Sequence, residues 1–535
     1  MRRPFSERIA DELAVGAIVL LLCSAAVLVT EFAPPVGPAG PTAGTAAPGL
    51  PHHAETPPSG GGGGSNGTSN ATGNTSGGTG GNGTGTGGSG GNSSGNSSGG
   101  SGNSSGNSSG NGSGPLNSTI RVAPALGNLT PMFFSLSAQS IYLESPTTVG
   151  LIRNTPFTYF RWGPEGEYTN VTSGIVYNDA GQGSPVGTDN ISAFISFVQK
   201  VHGHAMISVP GEIDSPSVAV ATMRYVEGTL GFHPDYWSIG NEPQNWVHWG
   251  KPWTSWRTTD NSTVTPLEYA REVQTYIHAM RAYDPTARFI GIQSAGGTLW
   301  EATTWIAPVA EIDGPNISAV AYHPYPGGYG TTSGSLSDFF ATLSNPSLFP
   351  NGYAAAQSAI DTACRCRIPL WVGEYNSAIG GTFSTYVGGY AEVPYIGAGL
   401  ALSLRDQVPM VTYFTLWPTL IAGTTPNPAY YLYSTFFENL TLGSVHNVSI
   451  TNAPAQVVGV ETTNGSRTSL FVADANPFSD VSIVLNASTF PDTGNTTVWY
   501  WDPSTPFPTV EQFAPGTLPA QWLVQPQGVL LIDAQ

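Results

Sequence analysis

Between residues 133 and 416 the chain repeats one unit eight times, a short apolar run followed by a stretch with helical spacing. The runs are Phe133–Leu136, Thr158–Trp162, Ala205–Val209, Tyr236–Gly240, Arg288–Ile292, Ser318–Tyr322, Leu370–Gly373 and Met410–Leu416. Among the stretches between them, Ser192–Val201, Pro216–Gly228, Pro266–Ala282, Gly352–Cys364 and Ala391–Asp406 carry apolar residues at helical intervals. Short strands alternating with helices imply a parallel sheet with helical crossovers. Eight such units over about 300 residues are what a (β/α)8 TIM barrel requires.

The pattern changes after about Phe436. Ala455–Glu461, Ser469–Ala473, Val481–Leu485 and Thr497–Trp501 read as alternating strands punctuated by Gly, Pro, Asn and Asp. The α/β barrel is therefore expected to span residues 116–435 and a C-terminal β-sandwich residues 436–535, with residues 120–131, in particular Ile120–Ala125, a candidate to join the sandwich. An appendage covering barrel surface is the plainer role for such a domain, and carbohydrate binding the alternative.

Residues 1–31 have a different character. Arg2, Arg3 and Arg8 precede 17 apolar or small residues, Leu13–Val29, just long enough to span a bilayer and charged so as to keep the N-terminus in the cytoplasm. This reads as a signal-anchor in preference to a cleaved signal peptide, since no clean small-x-small site follows. Residues 32–115 form a tether whose stretch from Pro57 to Gly114 is almost only Gly, Ser, Thr and Asn, a composition that cannot bury enough apolar surface to offset its ordering entropy. As a flexible coil it would hold the folded part about 40 Å from its anchor. Ten Asn-X-Ser/Thr sequons lie between Asn66 and Asn117, and ten more follow, including Asn128, Asn170, Asn261, Asn316, Asn439 and Asn495. Behind a membrane or secretory segment these imply a glycosylated exterior, on the outer face of a membrane or secreted.

Only 10% of the chain is charged, with two lysines, Lys200 and Lys251, and a net charge of −18. Such a surface is unsuited to nucleic acid or to a polyanionic sugar, and low charge density suits an acidic exterior. The three cysteines make no disulfide framework. Cys23 lies in the apolar segment, and Cys364 and Cys366, two apart, are poorly placed to bridge each other. Nothing calls for a cofactor, and no Cys or His pair stands at metal-ligand spacing.

Two glutamates end apolar runs: Tyr236-Trp237-Ser238-Ile239-Gly240-Asn241-Glu242-Pro243 and Pro369-Leu370-Trp371-Val372-Gly373-Glu374-Tyr375-Asn376. The barrel reading puts them after strands four and seven, on the face where such barrels place their chemistry. Paired carboxylates at buried strand tips are what glycoside hydrolysis needs, one as general acid and the other as nucleophile or base. Glu242 would have to be protonated when substrate arrives, which burial and the nearby charge of Glu374 favour. Four tryptophans, Trp246, Trp249, Trp253 and Trp256, crowd the segment after Glu242, where indoles could stack on sugar rings or simply pin a long loop. Trp417, ending strand eight, is placed to lie beneath the sugar being cleaved.

Trp237 to Pro243, Trp371 to Ala378, Tyr159-Phe160-Arg161-Trp162-Gly163 and His323-Pro324-Tyr325 together resemble the heparanase and β-glucuronidase family of glycoside hydrolases, family 79, within the retaining (β/α)8 clan. The resemblance covers approximately residues 120–535 in order and architecture. It implies Glu242 as acid/base, Glu374 as nucleophile, Asn241 as the ligand of the sugar 2-hydroxyl, Arg161 and Tyr325 as partners of the nucleophile, and His323 as a pocket residue. Family glucuronidases hold the uronate carboxylate with a Gly-rich loop after the nucleophile, which Gly380 and Gly381 preserve in part, and with a tyrosine after strand eight, where this chain has Leu416-Trp417-Pro418. The reading is therefore a retaining β-glycosidase of an extracellular oligo- or polysaccharide, a β-glucuronidase being one form and a hydrolase of glucosides, xylosides or arabinofuranosides from a sister family the other. A cell-surface adhesion protein that has lost catalysis, or binds glycans without cleaving them, is the alternative of another class; it has no reason to keep both glutamates together with Asn241, Arg161 and Tyr325.

Overall fold

The computed structural model describes residues 116–138, 143–162, 168–170, 175–177, 191–209, 211, 215–245, 264–327, 334–344, 351–378, 382–485, 490 and 494–535. The expected anchor and tether, residues 1–115, lie outside them, as do Trp246, Trp249, Trp253, Trp256, Gly380 and Gly381. Among the described residues no helix is long and apolar enough to cross a membrane.

Eight parallel strands close into a barrel: β1 (Phe134–Ser137), β2 (Tyr159–Trp162), β3 (His204–Val209), β4 (Tyr236–Ile239), β5 (Phe289–Ala295), β6 (Ala319–His323), β7 (Leu370–Tyr375) and β8 (Val411–Tyr413). Each pairs with its neighbours in chain order, and β8 closes on β1 through Val411↔Phe134, Thr412↔Ser135 and Tyr413↔Leu136. Side chains alternate across the wall. Phe160 and Trp162 face outwards onto Phe197 and Phe194 of the helix Ile191–Val201. Tyr159, Met206, Tyr236, Ile290, Ala319, Ala321, Trp371 and Met410 fill the inside with one apolar layer. Two residues further along, Ser208, Ser238 and Thr412 are buried inside the wall, so the interior turns polar towards the C-terminal end of the strands.

β8 is shorter than the expected run Met410–Leu416. The Thr415 backbone N–H donates to Thr419 Oγ1 at 2.7 Å, and that hydroxyl donates to the Thr415 carbonyl at 2.6 Å, so a local side-chain bond replaces strand pairing and the chain coils into Leu416–Leu420. The bridging expectation for the cysteines is also corrected: Cys364 and Cys366 form a disulfide. Arg365 between them takes φ +56°, which folds the chain back after the helix Asn351–Cys364 and brings the two Cα atoms to 5.0 Å. That separation falls inside the range of about 4.4–6.8 Å that disulfides span.

The C-terminal strands form one hydrogen-bonded order of nine that folds over itself. The strand Leu116–Asn128 joins its halves, pairing parallel with Val481–Val484 at one end and antiparallel with Ser444–Ile450 at the other, with bulges between Val122 and Gly127. Strand Arg467–Asp474 shows why the sheet is buried on both faces. Leu470 and Val472 enter the sandwich core with Val481, Ile483, Leu530 and Ile532, whereas Phe471 and Ala473 join the barrel core. They press on the helix Glu392–Arg405, whose residues from Glu392 to Leu404 are all buried. A barrel helix normally keeps a polar outer face. This one reads Val-Pro-Tyr-Ile-Gly-Ala-Gly-Leu-Ala-Leu because the sheet covers what solvent would otherwise meet, and Gly397 lets Phe471 approach: a Cβ there would lie 3.0 Å from its ring.

Candidate active site

Glu242 and Glu374 are both buried, 3% and 1% exposed, and meet at the C-terminal end of the barrel. Neither is aimed by a regular strand. After β4 the chain passes through Gly240 at φ +65° and Glu242 at φ +46°, held by Gly240 N–H donating to the Val209 carbonyl at 2.7 Å and Glu242 N–H to the Gln293 carbonyl at 2.8 Å. A non-glycine residue in this left-handed region costs roughly 1–2 kcal/mol, which the two hydrogen bonds and the surrounding packing sustain. On β7 the pairing with β8 shifts between Val372↔Val411 and Tyr375↔Tyr413, three residues against two. Gly373 borders Gln293 and His323 inside, Tyr375 joins the core that includes the outer helices, and the bulge lets Glu374 point inwards as well.

Four expected residues surround the pair. Arg161, buried on β2, donates from Nη1 to Glu374 Oε1 at 2.5 Å and from Nη2 to Asn241 Oδ1 at 2.5 Å. Tyr325 Oη donates to Glu374 Oε2 at 2.7 Å. His323 Nδ1 stands 2.7 Å from Glu242 Oε1 and 3.6 Å from Glu374 Oε2. Burial by itself would push the Glu374 carboxyl up. His323, when its ring is cationic, and Arg161 outweigh it through their charge, with help from the Arg161 and Tyr325 hydrogen bonds, and hold the carboxyl below its ordinary value. Trp417 is half-buried after β8; the ring linking that strand end to the site is Phe414, 6.3 Å edge-on from Tyr325.

One oxygen each of Glu242 and Glu374 and a ring nitrogen of His323 lie within 4.8 Å of one another, a three-ligand group that sequence spacing does not display. Both Glu374 oxygens already accept hydrogen bonds, Oε1 from Arg161 and Oε2 from Tyr325, and a guanidinium bound to Glu374 opposes a divalent cation there.

Two glutamines complete the site. Gln244 takes the Ala295 N–H on its Oε1 at 3.1 Å and gives its amide hydrogens to Ser294 Oγ at 2.5 Å and the Ala295 carbonyl at 3.2 Å, pinning the turn after Glu242 to β5. Gln293 Oε1 lies 3.1 Å from His323 Nε2. Its signal in sequence is an amide directly after the run Phe289-Ile290-Gly291-Ile292, which strict alternation would not aim inwards together with Ile290.

No protein-family model matches the chain, and no curated protein does. Solved structures do match in fold. A family 51 α-L-arabinofuranosidase from Bifidobacterium longum aligns over 78% of this chain and 99% of its own with a TM-score of 0.58 at 14% identity. A bifunctional glucanase-xylanase from a metagenome library aligns over 79% and 99% with a TM-score of 0.59 at 13% identity. A family 44 xyloglucanase from Paenibacillus polymyxa aligns over 78% and 100% with a TM-score of 0.56 at 10% identity. The fold of this chain is thus the (β/α)8 barrel with a β-sheet domain that these proteins share.

Proposed function

We propose that this protein is a retaining glycoside hydrolase. The observation that carries the proposal is the meeting of two buried carboxylates, with oxygens within 4.8 Å, one of them clamped by Arg161 and Tyr325. Retaining enzymes place their carboxyls about 5–5.5 Å apart, whereas inverting ones leave about 6.5–9.5 Å for a water. Glu374, kept ionised, attacks the anomeric carbon while Glu242 gives its proton to the departing glycosidic oxygen. The resulting glycosyl ester is cleaved by water, whose proton returns to Glu242 as Glu374 leaves. Asn241, its Oδ1 taken by Arg161, meets a sugar hydroxyl as a donor, and its place beside Glu242 suits the 2-hydroxyl of the sugar under attack.

A neutral sugar is the better reading of the substrate. The fold matches are titled arabinofuranosidase, glucanase-xylanase and xyloglucanase, and Leu416-Trp417-Pro418 stands where a family 79 glucuronidase has its uronate-binding tyrosine. We propose further that Leu13–Val29 anchors the enzyme and that the glycosylated tether presents it outside the cell, a placement that membrane fractionation of the expressed chain and protease shaving of whole cells would check.

The test is hydrolysis by the full chain of aryl arabinofuranoside, xyloside, glucoside and glucuronide at pH 3 to 7. Turnover of a neutral glycoside with retention of configuration is expected, as is recovery of activity by azide in Glu242→Ala. Glucuronide turnover alone would overturn the substrate reading. Inverted product would overturn the mechanism.

A further inference from the structure

β5 departs from alternation at one place. It pairs with β6 as Ile290↔Ala319 and then Gln293↔Ala321, three residues against two. Ile290 belongs to the layer inside the barrel, Ile292 to the core shared with the helices, and the extra residue brings Gln293 back to the inside. The side chain fills space left by Gly373: a Cβ on Gly373 would collide with Gln293 Oε1 and stand 3.0 Å from His323 Nε2. A bulge on β5 and a glycine on β7 thus make room for one contact, that of His323 Nε2 with Gln293 Oε1 at 3.1 Å.

An amide oxygen accepts hydrogen bonds and donates none. With that oxygen at Nε2, His323 carries its hydrogen on Nε2 whether the ring is neutral or cationic. Nδ1 is then the ring nitrogen that exchanges a proton with Glu242, 2.7 Å away. Glu374 from β7 also faces this pair, its Oε2 3.6 Å from His323 Nδ1, and it carries Arg161 from β2 and Tyr325 from after β6 on its two oxygens.

We propose that Gln293 is a positioning residue: by accepting Nε2–H from His323 it fixes the imidazole tautomer, so that the Nδ1 lone pair faces Glu242 and holds the acid/base proton on the Glu242–His323 pair. The proposal rests on reading Glu242 as the acid/base. In the first half-reaction the proton passes from Glu242 to the glycosidic oxygen. The Nδ1 lone pair then opposes the new carboxylate and favours its taking a proton from the attacking water. Without Gln293 the ring can turn its hydrogen to Nδ1, which stabilises ionised Glu242 and spoils the acid.

The experiment compares the full chain with Gln293→Met and Gln293→Glu, the second keeping an oxygen acceptor at similar reach. In Gln293→Met the alkaline limb of kcat/KM for an alkyl glycoside is expected to move down by about one pH unit. The loss should be about tenfold greater on that substrate than on a dinitrophenyl glycoside, whose leaving group needs little protonation. In ¹⁵N-histidine-labelled protein, with His323 assigned from His323→Gln, the wild type is expected to carry its hydrogen on Nε2. Gln293→Met should gain an Nδ1-protonated population, and Gln293→Glu should return to the wild-type pattern. Equal losses on both substrates with an unmoved pH profile would overturn the proposal, as would a wild-type ring with bare Nε2. A wild type that turns over no glycoside would overturn the proposed function instead, and the nitrogen signals would still decide the role of Gln293.

Discussion

Glu374 at the barrel mouth and Asp474 in the C-terminal sheet are buried alike, 1% and 0% exposed, and their carboxyls titrate in opposite directions. Burial pushes Asp474 up to about 8, against the Asn476 N–H it accepts at 2.9 Å and with further upward pressure from Asp480. Burial pushes on Glu374 too, but His323, Arg161 and Tyr325 bring it below its usual range. Glu461, in the same sheet as Asp474, is pushed by burial to about 7, and so is Asp313 beside the barrel, where Gln274 and Arg281 only partly oppose the effect. Burial thus raises the carboxyls of Asp474, Glu461 and Asp313, and at Glu374 the charges of His323 and the buried Arg161 reverse that direction.

The largest effect should come from deleting the charge itself. Glu374→Gln is expected to cut kcat for an aryl glycoside by on the order of 10⁴-fold or more with the fold intact, measured by steady-state kinetics beside circular dichroism. Arg161→Met removes the cation and should make Glu374 resemble Asp474. The acid limb of kcat/KM would move to higher pH, and stability at neutral pH would fall by about 3–5 kcal/mol in denaturant titrations, because a buried carboxylate is left without its partner. Tyr325→Phe removes one hydrogen bond to a charged oxygen, worth about 1.5–3 kcal/mol, and should lower kcat/KM by about 10- to 100-fold with a smaller shift of the same limb.

The smallest effect tests the other side of the comparison. Asp474, Glu461 and Asp313 bind protons more tightly folded than unfolded, so their contribution to stability is complete below the ordinary carboxylate range, near pH 4, and is lost as pH rises through about 7 to 8. Glu374 has the opposite sign: its contribution is present above the ordinary glutamate range and lost as pH falls through its lowered value. Calorimetry should therefore show Tm falling between pH 5 and 8, and Asp474→Asn should flatten that slope. A Tm that rises over this interval would contradict the assignment.

The barrel strands were legible because each is a compact run of buried residues bounded by turns, and the predicted Ala205–Val209 and Tyr236–Gly240 differ from β3 and β4 only at their ends. Glu242 and Glu374 stood out for the same reason, as carboxylates closing runs that have no use for a solvated group. Gln293 was missed because its inward aim depends on a bulge, and a bulge leaves no trace in composition. The Cys364–Cys366 bridge was missed because it depends on a positive φ at Arg365, where nothing in the side chain demands one.

The sequence by itself determined the order of strands and helices and which carboxylates could reach the barrel mouth, because hydrophobic burial follows residue type and spacing along the chain. Only the tertiary structure decided which way Glu242, Gln293 and Glu374 point, that Arg161 reaches Glu374 and Asn241 together, and that His323 is held between Glu242 and Gln293. Those outcomes depend on left-handed residues and on three-against-two pairing, which neighbouring strands impose on one another after the barrel closes.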